Sequence, residues 1–391
     1  LTNLQHFDFS NNKIKSLPDT SFHFLKRIKR MELQDNEIDS IRKPVEFSLT
    51  HLYLAHNQLT NVTQGVFGNM PHLQWLDLSH NELMEIDFDC FRNTRNIQVL
   101  FLSWNNIMDI PAEAFRPLKK LRIIDLSHNR LRTLPDNMFS EANIESLDLS
   151  HNQFMRLPTK KLPLRRLQTL YLAHNELASI PPEMASNLTS LHYLDLSAND
   201  LTVVPLITHT LPELKTFNLA DNPITAVTNT SFLGIADSLE ELDIRRLSLL
   251  TFEIEIGTNT RNIQVLFLSW NNIMDIPAEA FRPLKKLRII DLSHNRLRTL
   301  PDNMFSEANI ESLDLSHNQF MRLPTKKLPL RRLQTLYLAH NELASIPPEM
   351  ASNLTSLHYL DLSANDLTVV PLITHTLPEL KTFNLADNPI T

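Results

Sequence analysis

The chain has 391 residues, 42% hydrophobic and 21% charged, which is enough apolar material for a large core and excludes a disordered chain. A formal net charge of −7 at pH 7 argues against a nucleic-acid partner, which would require a basic face. With only four glycines and one cysteine, Cys90, the sequence has no Gly-rich phosphate loop, internal disulfide or Cys-rich metal site, and no motif calls for a cofactor.

The chain is periodic from its first residues. Leu4, Phe7, Phe9, Asn12 and Ile14 set a pattern that returns 24 residues later at Ile28, Met31, Leu33, Asn36 and Ile38. The asparagine slot then recurs at Asn57, Asn81, Asn105, Asn129, Asn152, Asn175, Asn199 and Asn222. Leu247 occupies it once, and it resumes at Asn271, Asn295, Asn318, Asn341, Asn365 and Asn388. That makes seventeen units spaced 21 to 25 residues apart over 1–391. The apolar-x-apolar core of each unit alternates with period two, so it predicts a short strand with one buried face. Successive units lay these strands side by side in parallel. The asparagine amide is expected to bond backbone groups left unpaired at the turn, and Leu247 cannot do so, which predicts local irregularity or a compensating backbone bond there.

The second half of each unit carries a Pro-led segment such as Leu17–Phe22, Ile110–Phe115 or Leu134–Phe139. Proline ends the extended run, and Phe22, Phe67, Phe91, Phe115, Phe139 and Phe232, with Met184 and Leu162 as substitutes, predict a second buried spine. Cys90 reads as a small buried hydrophobe. The expected fold is an α/β-type solenoid, an arc with a parallel concave sheet and an irregular, turn-rich convex side. Residues 93–225 recur verbatim as 259–391, and 226–258 form an irregular repeat and junction that keeps the spacing.

Several groupings bear on function. An acidic column runs through Asp8, Glu32, Asp77, Asp125, Asp148, Asp195, Asp243, Asp291, Asp314 and Asp361; it reads more simply as edge hydrogen bonding than as a cation site. Tyr53, Phe101 and Tyr171 interrupt it. Trp75, Val99, Ile123 and Trp104 surround Phe101 at slots outside the core. Together with Tyr53 they predict an apolar protein-contact patch, repeated in part at Val265, Phe267, Trp270 and Ile289. Histidines recur just before the asparagine, from His56 to His340, as solvated turn residues. The string Asp-Leu-Ser-His is repeat consensus, whereas a catalytic triad is a single constellation, so no enzyme is expected. The paired basic residues Lys119-Lys120, Lys160-Lys161 and Arg165-Arg166 read as solvated edges. Asn61, Asn187, Asn229 and Asn353 head N-x-Ser/Thr sequons on or near turns and are the expected N-glycan sites. No apolar run is long enough to span a bilayer, so any membrane attachment is expected through an anchor outside this section, and the opening in mid-unit reads as a section of a longer protein.

The 24-residue unit with its Leu-Pro-x-x-x-Phe signature resembles the extracellular leucine-rich repeat class over the whole chain. The units Leu76–Asn81 and Leu170–Asn175, with the divergent stretch Ser238–Leu250, are most similar to chaoptin-type proteins, the lipid-anchored adhesion molecules of insect photoreceptors. The resemblance implies a cell-surface scaffold whose partner is a protein, including the same protein on a neighbouring cell. Toll-like receptor ectodomains share the unit, so a ligand-binding ectodomain is the first alternative and an extracellular matrix component the second.

Overall fold

Each unit contributes one short strand whose middle side chain is buried, or half-buried at Phe7 and Phe383 in the first and last strands, and whose two neighbours face outward, as the period-two pattern requires. The structure is a computed structural model, and it describes residues 3–16, 27–41, 48–63, 66–67, 70–160, 163–228, 230–250, 260–301, 304–324, 330–373 and 376–391. Two compact units divide the chain, Leu1–Asp195 and Leu196–Thr391.

In the first unit, nine strands form a parallel sheet: β1 (His6–Asp8), β2 (Arg30–Glu32), β3 (His51–Tyr53), β5 (Trp75–Asp77), β7 (Val99–Phe101), β8 (Ile123–Asp125), β9 (Ser146–Asp148), β10 (Thr169–Tyr171) and β11 (Tyr193–Asp195). The register places equivalent residues side by side, so that Trp75 pairs with Val99 and Asp77 with Phe101. A second parallel pair, β4 (Asn61–Val62) with β6 (Glu85–Ile86), was not expected from the sequence. The short helix α1 (Pro182–Ala185) begins at a proline, whose missing N–H costs nothing there.

The second unit carries eight strands in the same manner: β12 (Thr216–Asn218), β13 (Glu241–Asp243), β14 (Val265–Phe267), β15 (Ile289–Asp291), β16 (Ser312–Asp314), β17 (Thr335–Tyr337), β18 (Tyr359–Asp361) and β19 (Thr382–Asn384). Its helix α2 (Pro348–Ala351) repeats α1. Residues 251–259 of the junction lie outside the described residues, yet β13 pairs in register with β14 across it.

The core has two spines. Behind the strands, Leu52, Leu76, Leu100 and Ile124 are at most 1% exposed. On the far side, Phe67, Phe91, Phe115 and Phe139 stack with ring centroids about 6 Å apart, and Phe232 and Met184 are equally buried. Phe22 and Leu162, expected in the same spine, lie outside the described residues. Cys90 is buried, and burial pushes its thiol pKa up, so it is an unreactive packing residue.

The asparagine column closes the polar account of the core. Asn129 is 7% exposed; its Nδ2 donates to the carbonyls of Leu102, Leu126 and Ser127 at 2.9–3.1 Å, and its Oδ1 accepts from the Ile107 N–H at 3.1 Å. The bonds to Leu102 and Ile107 link the repeat to the one before it, and those to Leu126 and Ser127 close its own turn. At Leu247 the side chain offers neither group, so the Ile224 N–H lacks the side-chain acceptor that the Leu201 N–H has in Asn222. The irregularity expected there is confined to this chemistry, because the backbone keeps its course. Ser248 N–H still donates to the Ile224 carbonyl at 2.9 Å, and Arg246 keeps the turn conformation of its counterparts.

Candidate protein-binding surface

The outward strand positions of the first unit assemble an aromatic cluster. Tyr53 and Trp75 lie with ring centroids 6.3 Å apart, and Phe101 meets Trp75 edge-on at 5.3 Å. His51 stacks against both Tyr53 and Trp75, and the Arg30 guanidinium lies 4.5 Å from the Tyr53 ring centre. The arrangement follows from the register: residues flanking a buried strand centre in adjacent strands stand about 4.8 Å apart on one face, within reach of large rings. Tyr53, Trp75, Val99 and Phe101 are half-buried against one another, and Ile123 is 37% exposed beside them. The Trp75 Nε1–H has no hydrogen-bond partner among the described residues. Burial raises the Tyr53 phenol pKa and lowers that of the His51 imidazole, which keeps both rings neutral at physiological pH.

Trp104 does not join this cluster. It lies past the end of β7 in a left-handed turn with φ 56°, half exposed, stacked between His80 and His128 at 5.2 and 3.7 Å. The six residues expected as one patch therefore divide into five on the sheet face and one in a column of turn side chains. All seventeen residues preceding the asparagine slot have φ of 49–58°, a conformation that Asn, Asp and His tolerate better than most. The turn is held by the next repeat: His80 N–H donates to the Ser103 carbonyl at 2.9 Å and Trp104 N–H to that of Ser127 at 3.1 Å.

The copied strands of the second unit stand in different company. Phe267 keeps Val265 and Ile289 beside it, but its neighbouring repeat supplies Arg245, whose guanidinium lies 4.9 Å from the Phe267 ring centre. Arg245 also binds Asp243 through two nitrogens; Asp243 is 6% exposed.

Most of the acidic column caps turns, while Glu32 binds Arg30, Gln34 and His6 instead. Asp77 Oδ1 accepts from both the backbone N–H and Oγ–H of Ser79, at 3.0 and 2.7 Å, and Asp148, Asp314 and Asp361 hold the serine two residues on in the same way. The Asp148 and Asp314 carboxyls are nonetheless pushed up by burial, against those serine bonds. Among the described residues, no three His, Cys, Asp or Glu side chains come together to hold a metal ion, and no helix is long and apolar enough to cross a membrane.

Of the sequon asparagines, Asn61 is exposed in β4 rather than in a turn, while Asn187 and Asn353 are half-buried just after α1 and α2. Asn229 lies outside the described residues.

Comparison with known proteins agrees with this geometry. Chaoptin of Drosophila melanogaster is 40% identical over 368 residues, which is 93% of this chain and 23% of that protein, so the chain spans about a quarter of its relative. A leucine-rich repeat protein of Leptospira interrogans superposes with a TM-score of 0.81 at 28% identity, covering 98% of this chain and 90% of that one. A chain of the Drosophila Toll–Spatzle complex gives 0.72 at 22% identity over 90% of this chain and 52% of its own length, a likeness of fold. The leucine rich repeat family model matches residues 47–107, 95–154, 261–320 and 331–390, more than half of the sequence. With its repeated strands, asparagine column and this match, the chain belongs to the leucine-rich repeat family and is similar to chaoptin.

Proposed function

We propose that this chain is a section of a cell-surface adhesion scaffold that binds protein, including a second copy of itself, through the outward face of its strands. The observation that carries the reading is the Arg30–Tyr53–Trp75–Phe101 cluster: four neighbouring strands present large side chains in contact on one face. Aromatic and arginine side chains gathered in one patch, with Asp77 between Tyr53 and Phe101 and Asp125 beside Phe101, match the make-up of protein-binding hot spots. The similarity to chaoptin over 93% of the chain supports adhesion and an extracellular location, where the sequons at Asn61, Asn187, Asn229 and Asn353 would carry N-glycans. A scaffold rather than an enzyme fits a surface assembled from repeated consensus positions. The alternative, a ligand-binding ectodomain, draws on the fold shared with a chain of the Toll–Spatzle complex.

The test is aggregation of beads coated with the secreted chain. The native chain is expected to cluster beads, and Phe101→Ser with Trp75→Ser to reduce clustering at least tenfold, the effect of losing about 1.4 kcal/mol at a hot spot. Trp104→Ser is expected to leave it unchanged. Equal clustering by all variants would remove the strand face from the account. Native beads that stay dispersed would shift it to a ligand other than the chain itself.

A further inference from the structure

The column of turn side chains forms a ladder of rings in each unit. In the first unit His56, His80, Trp104, His128, His151 and His174 stack in succession with centroids 4.0, 5.2, 3.7, 3.9 and 4.1 Å apart and planes within 14° of parallel. In the second unit Trp270, His294, His317 and His340 repeat the pattern at 3.7, 3.9 and 4.1 Å, and the Arg246 guanidinium covers the outer face of Trp270 at 5.0 Å. Face-to-face imidazoles point their nitrogen lone pairs along parallel planes, so they do not converge on an ion; the stack is not a chelating site.

We propose that these ladders are proton-sensitive seams: with the imidazoles neutral they clamp the left-handed turns of successive repeats together, and protonation in a mildly acidic compartment parts the rings and loosens that edge. The reasoning is electrostatic. Two charged imidazoles 4 Å apart repel, whereas two neutral ones gain stacking contact. The groups that face the ladder act in both directions. Asp77, Asp125 and Asp148 in the first unit, and Asp291 and Asp314 in the second, favour the charged rings. Neighbouring histidines and Arg246 oppose them. Loss of hydration is the largest influence at His80, His128, His151, His294 and His317, and it holds all five below the ordinary imidazole value of 6.5. A histidine of this kind binds fewer protons folded than unfolded. Its contribution to stability is therefore complete above pH 6.5 and is lost as the pH falls through the folded-state value. The seam is independent of what the strand face binds.

The experiment follows the histidine ring resonances of the full chain between pH 8 and 4.5, together with its thermal midpoint over the same range. A second chain carries Asn at positions 56, 80, 128, 151 and 174, a residue that accepts the left-handed turn without a ring. The rings of His80, His128, His151, His294 and His317 are expected to titrate below a free histidine peptide, with curves broader than a single site gives. The midpoint is expected to drop between pH 7 and pH 5, and the Asn-substituted chain to lose less over that interval. Single-site titrations at the peptide value, or an equal drop in both chains, would overturn the proposal. If the substituted chain does not fold, the ring titrations of the native chain decide alone.

Discussion

Replacing Asn129 by alanine isolates what the asparagine column contributes. The side chain is 7% exposed, so no solvent takes over its bonds. Alanine leaves the Ile107 N–H without its acceptor at 3.1 Å and removes the donor shared by the Leu102, Leu126 and Ser127 carbonyls. A buried polar group stripped of its partner costs about 1–3 kcal/mol, and with one amide and at least one carbonyl stranded the loss is about 3–5 kcal/mol. The loss is local, because each repeat touches only its neighbours. Amide hydrogen exchange should quicken over residues 102–131 while distant strands keep their protection, and urea unfolding should move to lower concentration. Asn295 has the same partners one copy later, at Leu268, Leu292, Ser293 and Ile273, so Asn295→Ala should cost the same. A change below about 0.5 kcal/mol, the size of an ordinary surface substitution, would refute the claim that this column bonds the repeats together.

Other perturbations separate the remaining parts of the account. Phe115→Ala opens a cavity in the rear spine, where the ring is 1% exposed, and should cost about 3–5 kcal/mol in urea unfolding. Arg245→Ala leaves Asp243 buried without its cation; since the guanidinium is itself 44% exposed, the cost should be about 1–2 kcal/mol. The Asp148 carboxyl is raised by burial, so the fold binds its proton more tightly than the unfolded chain does. Asp148→Asn should therefore stabilise the chain at pH 7, and this advantage should shrink as the pH falls into the carboxylate range, read as thermal midpoints at several pH values. Enzymatic deglycosylation of chain secreted from eukaryotic cells should lower its mass, and Asn61→Gln, the most open of the described sequons, should remove one step of that shift.

The strands and the asparagine column were legible because both are fixed by spacing: a buried strand centre recurs with each asparagine, from Leu76 and Asn81 to Leu100 and Asn105. The placement of Trp104 was not. Period-two reasoning holds only while the chain is extended, and Trp104 lies beyond the strand end, where the left-handed turn redirects its side chain. The signal was present as the run of His, Asp and Asn in that slot, residue types that accept positive φ. The acidic column was likewise half legible. Serine two residues after Asp77, Asp125 and Asp148 marks a capped turn, whereas the burial that raises the Asp148 carboxyl depends on three-dimensional packing. The pair β4–β6 follows the same 24-residue spacing through buried Val62 and Ile86, but at two residues per strand it is too short for a period-two pattern to be read in advance. The copies at Phe101 and Phe267 show a further limit. Identical sequence receives a tryptophan neighbour in one case and an arginine in the other, because the preceding repeat supplies it.

The most direct test is deuterium-exchange footprinting of the secreted chain, free and in bead-bound clusters. The account predicts new protection over residues 51–53, 75–77 and 99–101 on the strand face, with the Pro-led segment 110–118 unchanged. Protection confined to that segment, or to the ring ladder, would contradict it.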